Sequence, residues 1–284
     1  MAPPKPVDLA PVTQWITPAA LEHGKHLSSH LMNTLGVSRH QAGTLLRRLV
    51  ALQWLVAVGP PHRRHYAPGL LRQMVRRYPL PGLPADLVWA DFAPTLALPA
   101  EVQRMAGRAC SELARNAVAH SGGGSLTVSA RQTPLQLQLL VSDDGCGLFD
   151  HMQRRTGIAE PARALLALHR DGLADDGGRG PCGQGLALAA QLADVLDVHA
   201  DQAAFQHRAW DPRRWHERRT AVRGGTAVYL AIALDTTRTL DAALRSQAPQ
   251  TQRAPQAHGM PCEAAAAARP ARQPMPADGA LAGT

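Results

Sequence analysis

Leucines at helical spacing dominate the first quarter of the chain. Leu27, Leu31 and Leu35 fall on one face of a helix, and Gly36 and Ser38 then supply a turn and an N-cap for the next helix. That next helix carries apolar residues at core spacing, namely Ala42, Leu45, Leu46, Leu49 and Leu52. Two short strands around a Pro-Pro-His-Arg-Arg tip follow. Residues 13–68 are therefore predicted to form helix, helix, turn, helix and hairpin.

A break in this pattern separates a second region. The segment PLPGLPADL (79–87) interrupts the helical spacing and predicts a domain boundary. The elements predicted beyond it are a strand over 87–98, a long helix over 99–120, strands over 125–131 and 135–142, a helix over 184–195, and strands near 196–209 and 225–234.

These patterns divide the chain into four segments. Residues 1–12 are rich in proline and predict a disordered leader, and residues 13–80 predict a winged helix-turn-helix-like domain. Residues 83–236 form a second predicted domain with mixed helices and strands, which makes the fold class α+β. Residues 237–284 contain mainly Ala, Pro, Gln and Arg without periodicity and predict a disordered tail.

Positive charge is concentrated in the first domain. Residues 18–78 contain nine lysines and arginines and a single acid, Glu22. This balance favours an acidic partner, and a helix-turn-helix followed by a wing favours DNA. The candidate DNA-contacting residues are Arg39, His40, Gln41 and Thr44 early in the second helix and Arg63 and Arg64 at the hairpin tip. The alternatives are a winged helix that contacts protein and a solvated basic face.

Cysteine spacing and hydropathy limit the classes of protein to which the chain could belong. The four cysteines (Cys110, Cys146, Cys182 and Cys262) are far apart and have no zinc-like spacing, so a reduced cytoplasmic protein is expected. The sequence contains neither an apolar run of membrane-spanning length nor a charged-then-apolar leader, and we therefore expect no membrane partner.

Three polar side chains recur every fourth residue in the predicted helix over 99–120. Glu112, Asn116 and His120 form one stripe, because four residues advance about 400° around an α-helix. A carboxylate beside an amide oxygen suits a site where a hydroxyl or a water is deprotonated next to a hard cation. Asn116 is the candidate ligand of Mg²⁺, which prefers oxygen donors.

Two glycine-containing motifs follow the stripe. A predicted strand ends in Asp143-Asp144-Gly145-Cys146-Gly147, where a carboxylate can accept a hydrogen bond from an exocyclic amine and the glycines allow a flat base to approach the backbone. The segment GPCGQGLAL (180–188) opens a helix, and its backbone N–H groups favour phosphate. Asp144 is expected to serve the turn.

These motifs resemble those of the GHKL superfamily, the ATP-binding domain of gyrase, heat-shock chaperones, histidine kinases and mismatch-repair ATPases. The resemblance covers residues 83–234, in which ExxxN, DxGxG, GxGL and GGT occur in the order of the family. It implies a two-layer α/β sandwich that binds ATP and Mg²⁺, with residues 149–182 as a mobile lid. One departure is Pro181, which stands where the family often has the first glycine of the glycine-rich turn.

The resemblance also implies roles for individual residues. Asn116 would bind Mg²⁺, Asp143 the adenine amine, and Thr226 the water network beside the base. The glycine positions would be Gly145 and Gly147 in the adenine pocket and Gly183 and Gly185 at the phosphates, with Leu186 completing the GxGL motif. The chain has no Walker-type GxxxxGK[ST] sequence and no lysine beyond Lys25, which excludes a P-loop.

The residues around Asn116 indicate the type of GHKL protein. SELxxNAxxH resembles the anti-sigma-factor serine kinases, in which the glutamate corresponding to Glu112 is the general base. Our preferred hypothesis is a regulatory protein that joins a DNA-binding winged helix to a GHKL ATPase or kinase-like domain. The alternatives are a serine/threonine kinase of the anti-sigma-factor type that phosphorylates an antagonist, an orphan histidine-kinase-like ATPase without DNA binding, and ATP binding without catalysis. A homodimer is an expectation from the family.

Overall fold

A computed structural model describes residues 7–170, 184–219 and 223–247. The predicted phosphate-binding Gly183, Cys182 and residues 171–182 of the predicted lid lie outside these described residues, as do the predicted leader up to residue 6 and the tail from residue 248.

The N-terminal residues form four helices and a hairpin. The elements are α1 (Leu9–Thr13), α2 (Ile16–His23), α3 (Leu27–Leu35), α4 (Arg39–Ala51), β1 (Leu55–Val58) and β2 (His65–Pro68). Gly36 ends α3 in the left-handed conformation, and Ser38 and Gln41 form a capping box at the start of α4. The predicted order of helix, turn, helix and hairpin is confirmed, and the winged-helix interpretation stays a prediction.

A core of its own holds these N-terminal elements together. The buried leucines of α3 and α4 pack with Ile16 of α2 and with Trp54 and Leu55, which lead into the hairpin. Leu27, Leu31, Leu45, Leu46 and Leu49 are all among the buried residues. The leucine spacing that predicts α3 and α4 therefore identifies most of this core. It is wrong at Leu52, which follows the last residue of α4 and is 49% exposed.

A seven-stranded sheet forms one of the two layers of the α+β fold. Its strands are β3 (Arg72–Pro79), β4 (Ser125–Gln132), β5 (Gln136–Asp143), β6 (Val195–Asp201), β7 (Ala203–Arg208), β8 (Asp211–Arg218) and β9 (Arg223–Ala233). Their order in the sheet is β3-β4-β5-β9-β6-β7-β8, and every neighbouring pair is antiparallel. Buried and partly exposed residues alternate along β4, β5 and β6, because one face of the sheet packs on helices.

Helices cover that face. They are α5 (Ala85–Phe92), α6 (Ala100–Asn116), α7 (Leu148–Thr156), α8 (Pro161–Arg170), α9 (Gln184–Leu192) and α10 (Leu240–Gln247). The longest, α6, lies between α5 and α9, and its apolar stripe includes the fully buried Met105 and Cys110. Mixed helices and an antiparallel sheet in two layers agree with the predicted α+β class and with a GHKL-type ATPase domain.

The predicted strand over 87–98 and the predicted leader differ from the observed structure. Residues 87–98 are predicted as a strand, but Ala85, Val88, Trp89 and Phe92 are buried at helical spacing and form α5. Part of the predicted leader is α1, whose first turn is capped by the Asp8 side chain.

The predicted tail begins too early. Residues 240–247 form α10, which is anchored on α6: the backbone N–H of Leu240 donates to Glu101 (2.6 Å), and Arg104 pairs with Asp241 (2.9 Å). Ala243 is buried in the same core as the sheet. These tertiary contacts hold α10 on the domain, and Leu240, Ala243 and Leu244 at helical spacing agree with a helix here.

Strand β3 changes the predicted domain boundary at residues 80–83. All eight of its residues pair with β4, so it is an edge strand of the large sheet although it precedes the predicted ATPase domain. Its outer edge is bonded to the N-terminal helices, because Val75 N–H donates to Gln14 (3.1 Å) and Gln73 N–H donates to Thr17 (3.0 Å). The N-terminal helices and the sheet therefore share this strand.

None of the helices in the described parts of the chain combines the length and the apolar character needed to cross a membrane.

The register of β5 gives a test of the fold. Leu139 is fully buried and lies between Ala130 of β4 and Leu230 of β9, whereas Leu135, in the preceding turn, is 79% exposed. We expect Leu139→Ala to lower the free energy of unfolding by about 2–5 kcal/mol through cavity formation. Leu135→Ala should change it by less than about 0.5 kcal/mol. Urea denaturation measures both, and equal losses would contradict this packing.

Candidate nucleotide-binding site

Asp143 is the buried carboxylate at the end of β5. It is 8% exposed, and its Oδ1 accepts hydrogen bonds from the backbone N–H groups of Gly145 (3.0 Å) and Thr226 (3.2 Å). Gly225 lies directly against it, since a Cβ there would be 2.1 Å from the Asp143 carbonyl oxygen. The DxGxG and GGT motifs, about 80 residues apart in the chain, are therefore parts of one structure.

Burial raises the pKa of Asp143, and the two backbone N–H groups oppose this shift. The carboxylate thus lacks the full hydration that a surface aspartate has. A ligand donor such as an exocyclic amine would compensate this missing hydration, which makes Asp143 a favourable contact for a base.

The neighbouring Asp144 has a different task. Its side chain accepts from the backbone N–H groups of Gly124 (2.8 Å) and Ser125 (2.9 Å) and from the Ser125 hydroxyl (2.6 Å). The bonds from Ser125 lower the pKa of Asp144 to about 2. Asp144 therefore fastens the glycine turn before β4, as expected from the sequence.

The stripe of Glu112, Asn116 and His120 does not continue as a regular α-helix. α6 ends at Asn116, and residues Ala117–Ser121 form a π-helical turn. A π-turn widens the helix and shifts the direction of the side chains that follow, and such turns are frequent at functional sites. Asn116 and His120 nevertheless both line one cavity.

The first turn of α9 packs against this stripe. A Cβ on Gly185 would lie 3.1 Å from the Asn116 amide nitrogen, 3.1 Å from Glu112 Cβ and 3.2 Å from Glu112 Oε2. These distances are shorter than ordinary van der Waals contact, so a larger residue would require both side chains to shift. Glycine at this position therefore permits the close approach of the α9 N-terminus to Glu112 and Asn116.

A cavity lies between the stripe, the end of β5 and α9. Five of the predicted residues line it, namely Asn116, Asp143, Gly147, Leu186 and Thr226. Its apolar walls are Leu113, Val141, Leu148, Leu168 and Val228. Apolar walls with a few polar groups, among them the buried Asp143 carboxylate, are typical of a small-molecule site and suit a purine base.

Two further residues, which the sequence patterns do not indicate, shape this cavity. His151 of α7 lines it, and its ring centroid lies 5.1 Å from that of His120. Asp201, at the end of β6, accepts from the backbone N–H of Asp150 (3.2 Å) in the first turn of α7. A Cβ on Gly147, where φ is +86°, would lie 2.2 Å from Asp201 Oδ1, so glycine is required there.

The predicted DNA-contacting residues lie away from this cavity, in α4 and at the hairpin tip. Arg39, His40, Arg63 and Arg64 are exposed. Two others are partly engaged within α4. The Gln41 amide oxygen accepts from Ser38 N–H (2.9 Å), and the Thr44 hydroxyl donates to the His40 carbonyl (3.1 Å).

Comparison with known proteins agrees with this geometry. Residues 84–206 match the family model of the histidine kinase-like ATPase domain. The match covers less than half of the chain and includes the stripe, the DxGxG turn and Gly185. It supports membership of the GHKL superfamily for this part of the chain, and hence an ATP-binding, kinase-like ATPase domain. The search among curated proteins finds no match.

Replacement of one carboxylate oxygen of Asp143 tests whether the cavity binds adenine. Asp143→Asn keeps an oxygen for the Gly145 and Thr226 N–H groups but can present an amide NH₂ to the adenine amine. We expect the affinity for ATP to fall about 10- to 100-fold, as for the removal of a hydrogen bond to a charged group. Equilibrium titration measures the affinity.

Asp144→Asn is the matched control, because Asp144 bonds the turn and does not line the cavity. We expect it to retain ATP affinity. If Asp143→Asn binds ATP as tightly as the natural chain, the nucleotide assignment is wrong.

Proposed function

We propose that the chain is an ATP-dependent regulatory protein. In this proposal the ATPase domain binds ATP with Mg²⁺ and turns it over, and the basic N-terminal domain binds DNA. The observation that carries the first part is the packing of Gly185 on Glu112 and Asn116 beside the cavity that contains Asp143. This packing supports the proposal because Glu112, the proposed base, and Asn116, the proposed metal ligand, both lie beside the first turn of α9.

The base end of the nucleotide would lie at Asp143. Its buried carboxylate would accept from the adenine amine, while the apolar walls exclude water from both faces of the ring. Guanine carries a carbonyl oxygen where adenine carries the amine, and would place two acceptors against each other. This arrangement favours adenine nucleotides.

The phosphate end would lie between α6 and α9. The N-terminus of α9 supplies backbone N–H groups and the positive end of a helix dipole, which together favour phosphate. Beside the first turn of α9, the Asn116 amide lies next to the Glu112 carboxylate, and oxygen donors of this kind fit Mg²⁺. Asn116 would hold the ion, which when bound neutralises charge on the phosphate oxygens.

Glu112 would act as the general base. Its carboxylate is adjacent to Asn116 and Gly185, so a hydroxyl or water in line with the terminal phosphate could transfer its proton to Oε2. If a water is deprotonated, the result is ATP hydrolysis. If a serine or threonine hydroxyl of a partner is deprotonated, the result is phosphorylation of that partner, and this is the second candidate function.

Replacement of Glu112 tests its role as the base. Glu112→Gln keeps the size of the side chain and removes the proton acceptor, so we expect turnover to fall about 10²- to 10⁴-fold. ATP affinity should stay within about threefold, because general base catalysis acts in the transition state. Unchanged turnover in this variant would exclude a base role.

Labelled ATP separates the two candidate functions. The natural chain is incubated with γ-labelled ATP and Mg²⁺, with and without cell extract. Release of labelled phosphate alone supports hydrolysis, and label on a protein of the extract supports the kinase. Binding without either product would restrict the domain to a nucleotide-controlled binding role.

The proposal of DNA binding rests on charge and exposure. Residues 18–78 carry nine lysines and arginines and one acid, although three of the arginines lie on β3 of the large sheet. The arginines of the hairpin tip and of the start of α4 are exposed. A helix followed by a basic hairpin can place its first turn in the major groove and its tip on phosphates. Arg39 and His40 are the best placed for the base edges, since Gln41 and Thr44 also bond within α4.

Salt dependence tests this part of the proposal. We expect affinity for duplex DNA to fall as salt rises, because bound phosphates release counterions. The double variant Arg63→Gln/Arg64→Gln should reduce the slope of log K against log salt by about 1 for each phosphate that is no longer neutralised. Arg163→Gln, which removes one exposed charge on α8, is the control. Affinity that does not depend on salt would contradict DNA binding.

A further inference from the structure

We infer that Arg108 and Arg115 are positioning residues, which hold the Glu112 carboxylate so that one defined oxygen faces the nucleotide site. The inference rests on the proposed role of Glu112 as the base. It concerns two arginines that neither the ExxxN motif nor the family match assigns.

Both arginines bond the same oxygen. Arg108 Nη2 lies 2.6 Å and Arg115 Nη2 lies 2.7 Å from Glu112 Oε1. Oε2 is the oxygen that faces Gly185, at 3.2 Å from the position of a Cβ there. The carboxylate is therefore divided into an oxygen fixed by cations and an oxygen turned toward Asn116 and α9.

Helical spacing explains why two arginines converge. Arg108 precedes Glu112 by four residues and Arg115 follows it by three, so both lie on the same face of α6 one turn away on either side. The carboxylate is approached from both directions along the helix axis. Rotation about its side-chain bonds would break at least one of the two short ion pairs.

Arg115 is itself anchored from another element. Its Nη1 lies 2.5 Å from Asp86 Oδ1, in the first turn of α5, while its Nη2 bonds Glu112. The guanidinium thus bridges two helices with its planar fork, a geometry that lysine lacks. The ion pair with Asp86 of α5 therefore fixes the orientation of Arg115 independently of α6.

The burial of Glu112 distinguishes this group from an ordinary surface ion pair. Exposed pairs contribute little, because water and salt screen them and the side chains stay mobile. The Glu112 side chain is only 16% exposed, whereas Arg108 and Arg115 are 43% and 38% exposed. The two arginines lie on the solvent side of the carboxylate, and the proposed nucleotide site lies on its buried side.

Arg104 provides a matched control on the same helix. It lies one turn before Arg108, is similarly exposed, and pairs with Glu101 (2.8 Å) and Asp241 (2.9 Å), not with Glu112. Arg104→Gln therefore removes one cation and two surface ion pairs from α6 without a change at the base.

The experiment compares kcat, equilibrium ATP affinity and thermal unfolding in the full chain. We expect Arg115→Gln and Arg108→Gln each to lower kcat about 10- to 100-fold through misplacement of the base. ATP affinity should change by less than about threefold, because the arginines act on the base and not on the bound nucleotide. Arg104→Gln should keep the natural kcat, and Arg115→Lys should recover part of the activity.

A double variant separates positioning from a general structural effect. If Arg115 acts only through Glu112, Arg115→Gln should cause no further decrease of kcat in the Glu112→Gln background. An equal decrease in both backgrounds, a parallel decrease in Arg104→Gln, or natural kcat in both arginine variants would overturn the inference.

The two levels of the proposal fail in different ways. Natural turnover in Glu112→Gln would exclude the base role and this inference with it. Strongly reduced turnover in Glu112→Gln together with natural turnover in Arg108→Gln and Arg115→Gln would leave the proposed function intact and overturn the inference alone.

Discussion

The two hydrogen bonds accepted by Asp143 Oδ1 are the interaction on which the candidate site depends. They join the turn after β5 to the start of β9, and the neighbouring Gly225 allows the two backbones to touch. Without this junction the ends of the two strands would lose their fixed relation to the cavity between the sheet and α6. Burial raises the pKa of the same carboxylate, and a donor from a ligand would offset its lost hydration, so the residue that joins the two strands is also the proposed contact for the base.

The parts of the site that lie within one element could be predicted from the sequence. Glu112 and Asn116 are neighbours on any helix, and the strand-end DxGxG predicts the position of Asp143. The regular α-helical spacing ends at Asn116, because the π-turn that follows changes the helical period, although His120 still lines the cavity. A prediction from residue spacing assumes the same kind of helix throughout. No residue type within AVAHS (117–121) indicates the change from an α-helix to a π-turn.

The remaining parts depend on contacts between distant segments, which local patterns do not contain. Asp201 caps α7 from the end of β6, and Asp86 holds Arg115 from a helix that is predicted as a strand. α5 shows why the strand prediction failed: its buried residues follow a helical period, but the short segment between prolines also fits an apolar strand. Tertiary packing against α6 decides between the two.

The place of β3 has a consequence for how the molecule is divided. It pairs along its whole length with β4, it is bonded to α1 and α2 on its other edge, and Arg77 reaches Asp144 at 3.4 Å. A chain that began at residue 83 would lose this strand and leave the edge of β4 unpaired, which is a site for aggregation. The described residues, including α10, belong to one compact unit within residues 1–248. The large sheet is completed by a strand that leads directly from the basic hairpin, and the N-terminal residues hydrogen-bond its outer edge, so the two predicted domains share β3 and the N-terminal helices cover an edge of the sheet.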